Sequence, residues 1–257
     1  MHLRSAYHSL PALNAQDEFV IHSIGMLVPS TNSAGEVETN RLLPNNYEVH
    51  TGRLRLSAVD GVGWAEQDAD IDYQSQLLGD INPDVVILLQ TSASFYGPED
   101  YDEQVAQRMA EHSGAPGVTT AHAMGRALHA LDAPRVAIVS PYSDDLNARA
   151  KRYFERVHGL SVVAVEGLNM TDPQIIGKLE ADIVTEAVER AAVPEADAVI
   201  MAGGAFRALN VIADWEQRIG KPVVTTNQVM MWAAVQAVGG EETITGHGQL
   251  LASMPKG

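Results

Sequence analysis

The chain contains an internal repeat, in which three segments of its first half recur in the same order in its second half. Each segment combines a short apolar run with a turn of small, hydroxylated or proline residues. The pairs are IGMLVPSTN (24–32) with VAIVSPYSD (136–144), DVVILLQTSASF (84–95) with DAVIMAGGAFRA (197–208), and GAPGVTTAHAMGRAL (114–128) with GKPVVTTNQVMMWAA (220–234). Because the order is preserved, the repeat predicts two similar halves that are divided near residue 134.

The apolar runs are four to six residues long and alternate with segments of helical period. Short, continuously apolar strands between helices are typical of α/β proteins with parallel sheets. We therefore predict an α/β fold of two pseudo-symmetric, Rossmann-like halves, residues 1–133 and 134–257, each with a mostly parallel sheet. A chain of 257 residues, 46% of them hydrophobic, is long enough to bury such a core.

The turns after the repeated strands form the candidate site. Ligands of parallel α/β proteins bind outside the carboxyl ends of the strands, so the paired turns are expected to face one crevice between the halves. In LLQTSASFYGPEDY (88–101), Gln90, Thr91 and Ser92 follow directly on a buried strand. We expect their polar groups to face the crevice and bind an anion, although Thr and Ser also cap helices at such turns. The next helix is predicted over 99–112.

The charge of the chain limits its partners. Lys+Arg 17 against Asp+Glu 33 give a net charge of -16, which repels nucleic-acid phosphates and anionic membrane surfaces. No apolar run approaches the roughly 18–20 residues of a membrane span, and the first residues, MHLRSAYHSLPALNAQDE, lack the apolar centre of a signal peptide. We expect a cytoplasmic protein that binds neither nucleic acid nor a membrane.

The chain has no cysteine, which excludes disulfide bonds, thiolate metal sites and thiol nucleophiles. Glu36 and Glu38 have no histidine at ligand spacing, so no metal site is predicted. The glycine-rich segments follow neither the GxGxxG nor the P-loop pattern, so no nucleotide cofactor is predicted.

Five turn segments carry a family resemblance over nearly all of the chain from about residue 20. They are VPSTNSAGEVETN (28–40), QTSASFYG (90–97), SPYSDD (140–145), AGGAFRALNVI (202–212) and KPVVTTNQVMMWAA (221–234). Together they resemble the aspartate/glutamate racemase superfamily, particularly its maleate isomerase and arylmalonate decarboxylase branch. The resemblance implies an active site between the two halves, a small carboxylic acid as substrate, no metal or organic cofactor, and a homo-oligomer.

The resemblance also implies roles for individual residues. Thr91 and Ser92 match a Thr-Ser pair that helps to form an oxyanion hole in the decarboxylase branch. Tyr142 matches a tyrosine whose hydroxyl contacts the substrate carboxylate or enediolate. Asn32 matches a carboxylate-binding asparagine of the maleate isomerases, and Asn169 matches a second one.

Gln90 and Gly203 depart from the family pattern, which places a catalytic cysteine at the end of one or both repeated strands. A racemase needs two acid/base groups that flank a carbon, and maleate isomerase needs a thiolate that adds to the alkene. Neither glutamine nor glycine provides either group. The sequence therefore argues against racemisation and isomerisation by a thiol route.

Without a thiol, the remaining donors can still stabilise an enediolate or a tetrahedral oxyanion. We favour a cofactor-free, cysteine-independent lyase of decarboxylase type that acts on a small carboxylic acid through an enediolate. One alternative is a hydrolase or hydratase in which Gly203 leaves room for an activated water and Gln90 orients it. The other is a non-catalytic relative that binds a carboxylate.

An acid or base and further substrate contacts are also needed. His122 follows Thr119 and Thr120 at a strand end, and histidine is the side chain best suited to titrate near neutrality. It is the candidate acid or base, although a histidine at a helix start is also often structural. The candidates for substrate binding, besides the two asparagines, are Gly203, Gly204, Arg207 as a carboxylate clamp, and His247 on a glycine-flanked loop.

Overall fold

The computed structural model describes residues 20–170, 172–179 and 181–253, so the outer ends of both predicted halves lie outside the described residues. Two four-stranded sheets form its centre. The strands are β1 (His22–Pro29), β2 (Tyr47–Leu54), β3 (Val85–Leu88), β4 (Gly117–Thr119), β5 (Arg135–Ser140), β6 (Ser161–Gly167), β7 (Ala198–Met201) and β8 (Val223–Thr225).

Helices connect the strands in both halves. They are α1 (Gly35–Leu42), α2 (Gly61–Gly79), α3 (Thr91–Tyr96), α4 (Tyr101–Ser113), α5 (Thr120–Ala130), α6 (Asp144–His158), α7 (Pro173–Ile176), α8 (Ala181–Ala191), α9 (Ile212–Ile219), α10 (Thr226–Ala237) and α11 (Gln249–Ala252). Within the described ranges, no helix is long and apolar enough to cross a membrane.

The two sheets have the same topology. Their strand orders are β2-β1-β3-β4 and β6-β5-β7-β8, and every neighbouring pair is parallel. The repeated sequence segments supply β1 and β5, β3 and β7, and β4 and β8, which occupy equivalent positions. The predicted α/β fold with two pseudo-symmetric, parallel halves is confirmed.

Burial explains why the repeated segments form strands. All four residues of β3 and all four of β7 are buried, as expected of parallel strands that are covered by helices on both faces. Two of the longer helices end at glycines in the left-handed conformation, α4 at Gly114 and α6 at Gly159, with φ of 77° and 65°. Glycine adopts this conformation without a steric penalty, so these positions stop the helices.

The segment after β3 differs from the prediction. The helix expected over 99–112 is α4, which begins at Tyr101, but a separate six-residue helix, α3, precedes it. A helix of fewer than two turns has too few residues for its apolar period to appear in a sequence. Thr91 and Ser92 are therefore the first residues of a helix rather than parts of a loop.

The halves share one core. A single cluster of buried side chains includes Ile24 and Val85 of the first sheet together with Val136 and Val199 of the second. At the contact between the halves, the ring of Phe95 from α3 lies 5.8 Å from the ring of Phe154 in α6. The boundary predicted near residue 134 falls between α5 and β5, but apolar packing continues across it.

Truncation of Phe154, which is fully buried, tests this shared core. We expect Phe154→Ala to lower the free energy of unfolding by about 3–5 kcal/mol, because the cavity lies where both halves meet. Urea unfolding followed by circular dichroism and by tryptophan fluorescence should give one coincident midpoint, and the variant should shift both signals together. Val165→Ala, at a side chain that is 39% exposed, is the control. Two separate midpoints would show instead that the halves fold independently.

Candidate active site

The turn after β1 presents the amide of Asn32. Its Oδ1 accepts hydrogen bonds from the backbone N–H groups of Ala34 and Gly35 at the start of α1, both at 2.9 Å. These bonds hold the oxygen, and the amide donates through Nδ2. It lies 3.2 Å from the position that a Cβ atom on residue 204 would occupy. Asn32 therefore offers an amide donor toward the opposite half.

The turn after β3 presents Gln90. This side chain is 8% exposed, and its Nε2 donates to Oε1 of Gln67 on α2 at 2.9 Å. An amide nitrogen carries two protons, so the bond to Gln67 holds the side chain and uses one of them.

A hydrogen bond between hydroxyls joins the two halves. Thr91 Oγ1 lies 3.0 Å from the hydroxyl of Tyr142, which follows β5. Thr91 is fully buried and Tyr142 is 3% exposed. Tyr142 is held from its own side by a bond from its backbone N–H to Oγ of Ser140. The turn after β3 in the first half and the turn after β5 in the second half therefore place their hydroxyl groups in contact.

Burial determines the protonation of Tyr142. It raises the pKa of the phenol to about 12, while hydrogen bonds from Thr91 and Ser92 act in the opposite direction. Either hydroxyl can donate in the bond between Thr91 and Tyr142, and the arrangement with Thr91 as the donor is the one that stabilises the phenolate. The proton of Tyr142 is then available to a ligand, and at neutral pH the tyrosine is uncharged.

Gly203 occupies the turn after β7, at the position of the repeat that Gln90 occupies after β3. Its backbone N–H donates to Thr226 Oγ1 at 3.1 Å, and its φ of 135° lies in a region that favours glycine. A Cβ atom at this position would lie 3.1 Å from Cδ of Pro141 and 3.2 Å from the ring of Phe206. The turn therefore contributes backbone and space rather than a reactive side chain.

These turns surround one pocket, with an empty volume of about 390 Å³. Its lining comes from both halves and from the two loops that cover them: Pro29, Thr31, Asn32, Leu56, Val59, Gln90, Ser92, Pro141, Tyr142, Ile176, Gly203, Gly204 and Ala205. The turns that follow β1, β3, β5 and β7 thus meet at one site, as the repeat predicts. Thr91 lies behind this surface and reaches it through Tyr142.

The pocket is uncharged. Among the described residues that line it, Tyr142 alone has an ionisable side chain. The lining combines two sets of side chains: the donors of Asn32, Gln90, Ser92 and Tyr142, and the apolar side chains of Leu56, Val59 and Ile176. We name the first set the donor wall and the second the apolar wall. This lining offers an anion neutral dipoles and no cation.

His122 lies elsewhere, contrary to the sequence-based expectation. It lines a separate depression with Glu103 and Arg126, and its ring is 5.1 Å from that of His158. The strand end before it is correctly placed, but α5 begins at Thr120 and its third residue faces α6 instead of the pocket.

Three further candidates also lie outside the pocket lining. Arg207 is exposed, and its Nη2 donates to the backbone oxygen of Ser33 at 2.9 Å. Nδ1 of His247 lies 3.1 Å from the backbone oxygen of Leu209. Asn169 is exposed, with a φ of 52°, in the loop after β6. Arg207 and His247 were selected from turn chemistry and Asn169 from the family resemblance, and neither indicates the direction in which a side chain points.

Sequence reasoning missed the apolar wall, which consists of Leu56, Val59 and Ile176. Leu56 and Val59 lie between β2 and α2, and Ile176 ends the short helix α7. Neither loop belongs to the repeat, and single apolar residues in loops have no distinctive pattern. Thr226, which holds Gly203, was visible as part of a repeated Thr-Thr pair.

Residues 24–251 match the sequence pattern of the arylmalonate decarboxylase family. The chain belongs to that family. The resemblance inferred from the turns is confirmed. Among the described residues, no three His, Asp or Glu side chains lie close enough together to hold a metal ion.

Relatives in this family are enzymes with two different activities. The chain is 28% identical to arylmalonate decarboxylase of Bordetella bronchiseptica over 231 residues, 89% of this chain and 95% of that protein. It is 27% identical to a maleate isomerase of Pseudomonas putida over 245 residues, 90% and 98% of the two chains. The crystal structure of another maleate isomerase of Pseudomonas putida superimposes with a TM-score of 0.86 at 25% identity, covering 91% of this chain and 100% of that one.

The conformation of Gly203 gives a direct test of the turn. We expect Gly203→Ala to lower the free energy of unfolding by about 1–3 kcal/mol, because the side chain must adopt a strained φ and crowd Pro141 and Phe206. Urea unfolding measures the change. Gly61→Ala is the matched control, since a Cβ atom there meets nothing within 4 Å. Equal stability of the two variants would contradict the strain at residue 203.

Proposed function

We propose that the protein is a cofactor-free, cysteine-independent decarboxylase of a small malonate-type acid. The observation that supports this most is the pocket lining, which pairs neutral donors with an apolar wall and provides no base among its described residues. Racemisation and water activation both require a base. Decarboxylation does not, because the carboxylate that leaves is already ionised at neutral pH.

The two walls bind the two carboxylates of the substrate differently. One carboxylate accepts hydrogen bonds from Tyr142, Ser92 and the amide of Asn32. The other is placed against Leu56, Val59 and Ile176, where a charge has no partner and its burial is unfavourable. Loss of carbon dioxide removes that charge, so the unfavourable contact favours the reaction.

The donor wall stabilises the product of bond cleavage. The bond between the central carbon and the departing carboxylate breaks, and its electron pair moves into the remaining carboxylate to give an enediolate. The charge that develops on the enediolate oxygens meets donors that are already in place. Preorganised donors of this kind typically contribute about 3–4 kcal/mol each to transition-state stabilisation.

The enediolate carbon must then take up a proton. Tyr142 is the donor in this proposal, since its hydroxyl keeps its proton at neutral pH and lies in the pocket. An enediolate carbon is a stronger base than a phenolate, so the transfer is favourable. Thr91 donates to the oxygen of Tyr142 and stabilises the transient phenolate, which then recovers its proton from water.

A non-catalytic carboxylate-binding protein is the second candidate. It is favoured by the high pKa of Tyr142, because no group among the described pocket residues titrates near neutrality. A hydrolase or hydratase has less support, since no residue in the described lining can activate water.

A substrate panel distinguishes these functions. Substituted malonates, maleate and small lactones are incubated with the protein, and carbon dioxide release, cis-trans conversion and incorporation of ¹⁸O from water are followed. Release of carbon dioxide from a malonate supports the proposal. Conversion of maleate to fumarate, or ¹⁸O uptake without carbon dioxide, contradicts it. Calorimetric binding without turnover of any compound identifies a carboxylate-binding protein.

Removal of the hydroxyl pair should slow decarboxylation. We expect Tyr142→Phe and Thr91→Ala each to lower kcat by about tenfold or more, since the first removes the donor and the second its hydrogen-bond partner. Tyr73→Phe, at a tyrosine that is 62% exposed, is the matched control and should leave kcat unchanged. Full activity of both pocket variants would place the reaction at another site.

The pH profile provides a separate test. Tyr142 acts in its protonated form, and its pKa is raised to about 12, so its contribution persists as pH rises and is lost only near that value. We therefore expect kcat to be constant between about pH 7 and pH 10. A descending or ascending limb near the pKa of histidine, about 6.5, would indicate a group outside the described pocket lining.

A further inference from the structure

Helix α3 carries Thr91 and Ser92, yet its own structure does little to hold it. It is six residues long, and its N-cap residue Gln90 makes no capping hydrogen bond with its side chain. Helices this short are unstable by themselves, so packing and hydrogen bonds from other elements must fix α3. Those contacts determine where the two hydroxyls lie.

Asp102 makes a buried polar contact to α3. Ser94 Oγ, on α3, donates to Oδ1 of Asp102 at 2.6 Å. The hydroxyl of Tyr153, on α6, donates to Oδ2 at 2.5 Å. All three side chains are buried. One carboxylate on α4 therefore connects α3, in the first half, to α6, in the second half.

The groups around this carboxylate keep its two donors in place. Burial, and then the adjacent Asp102, raise the pKa of Tyr153, so its hydroxyl remains protonated. Nε2 of His158 lies 3.3 Å from the hydroxyl oxygen of Tyr153. Burial lowers the pKa of the His158 ring to about 4, so the ring is neutral at neutral pH. Neutral hydroxyl donors, rather than a cation, satisfy the carboxylate.

Helix α3 also packs against α6 and against the turn that precedes α6, close to the pocket. Phe95, next to Ser94, packs its ring 5.3 Å from the ring of Tyr153 and 6.2 Å from that of Tyr142. A movement of α3 relative to α6 would therefore change both the contact at Asp102 and the hydrogen bond from Thr91 to Tyr142.

We propose that Asp102 is a positioning residue, which sets the hydrogen bond between Thr91 and Tyr142 by fixing α3 against α6. It touches no substrate and acts through Ser94 and Tyr153. A carboxylate suits this role because it offers an acceptor to each of two donors, whereas asparagine offers one acceptor and one donor group. The effect on turnover rests on the proposed function, but the effect on the Tyr142 hydroxyl does not.

The hydroxyl is measured first, without substrate. In protein labelled with ¹³Cζ-tyrosine, Tyr142→Phe identifies the Tyr142 resonance and Thr91→Ala shows how far the resonance moves when the hydrogen bond is lost. We expect Asp102→Asn to move it in the same direction. Glu103→Gln removes one charge from the neighbouring, exposed position of α4 and should leave it in place. Ser94→Ala removes one of the two bonds to Asp102 and should move the resonance less than Asp102→Asn.

Kinetics then separate positioning from general stability. On a substrate found with the panel, we expect Asp102→Asn to lower kcat by about tenfold with little change in KM, and by less than about threefold when Thr91→Ala is already present. Equal effects in both backgrounds would show that Asp102 supports the fold without acting through the hydroxyl pair, and would overturn the proposal.

The two proposals fail in different ways. An unmoved Tyr142 resonance in Asp102→Asn and in Ser94→Ala overturns the role of Asp102, whatever the protein catalyses. If no compound turns over but the resonance moves in these variants and not in Glu103→Gln, Asp102 positions the hydroxyls of a protein that is not a decarboxylase. Ser94→Ala also keeps the test decisive if Asp102→Asn does not fold.

Discussion

The hydrogen bond between Thr91 and Tyr142 joins the two halves directly behind the pocket surface. Each hydroxyl follows a buried parallel strand of a different sheet, so the bond forms only when the sheets have one fixed placement. The shared apolar core provides that placement, because side chains of both sheets belong to one cluster. Packing in the interior and the geometry of the pocket therefore both depend on how the two sheets are placed. A buried substitution far from the pocket that shifts the sheets also changes the bond between Thr91 and Tyr142.

The internal repeat allowed much of this arrangement to be predicted. Equivalent strands with equivalent turns require equivalent topologies, and the carboxyl ends of parallel strands meet at one edge. Asn32, Gln90, Ser92, Tyr142 and Gly203 lie together in the pocket lining for this reason. The repeat specifies which turns converge, since that depends only on chain order and strand direction.

The same reasoning could not give the orientation of side chains outside the repeat. His122 is the third residue of a helix at a correctly predicted strand end, but a rotation of about 100° per residue along the helix decides which side it faces. The apolar wall was missed because Leu56 and Val59 come from a loop without periodicity and Ile176 from a helix of four residues. Asp102 was missed because its partners, Ser94 and Tyr153, are distant in sequence or belong to a helix too short to recognise.

The neutral lining of the pocket contrasts with the net charge of -16 on the chain. For the dicarboxylate substrate proposed above, the long-range field is repulsive, and the donors of the pocket attract only at short range. Association should therefore be slow at low ionic strength and faster when salt screens the surface, in contrast to enzymes that use a positive field to collect anions. Selectivity then depends on hydrogen-bond geometry rather than on charge.

Gly203 also constrains how this protein could change during evolution. Its backbone conformation excludes any side chain without strain, and the ring of Phe206 and the side chain of Pro141 occupy the adjacent space. A single nucleotide change that introduces a thiol at this strand end would therefore arrive with a stability cost before it could offer new reactivity. That cost applies at residue 203 and not at Gln90, whose φ of -156° is extended backbone that any residue adopts.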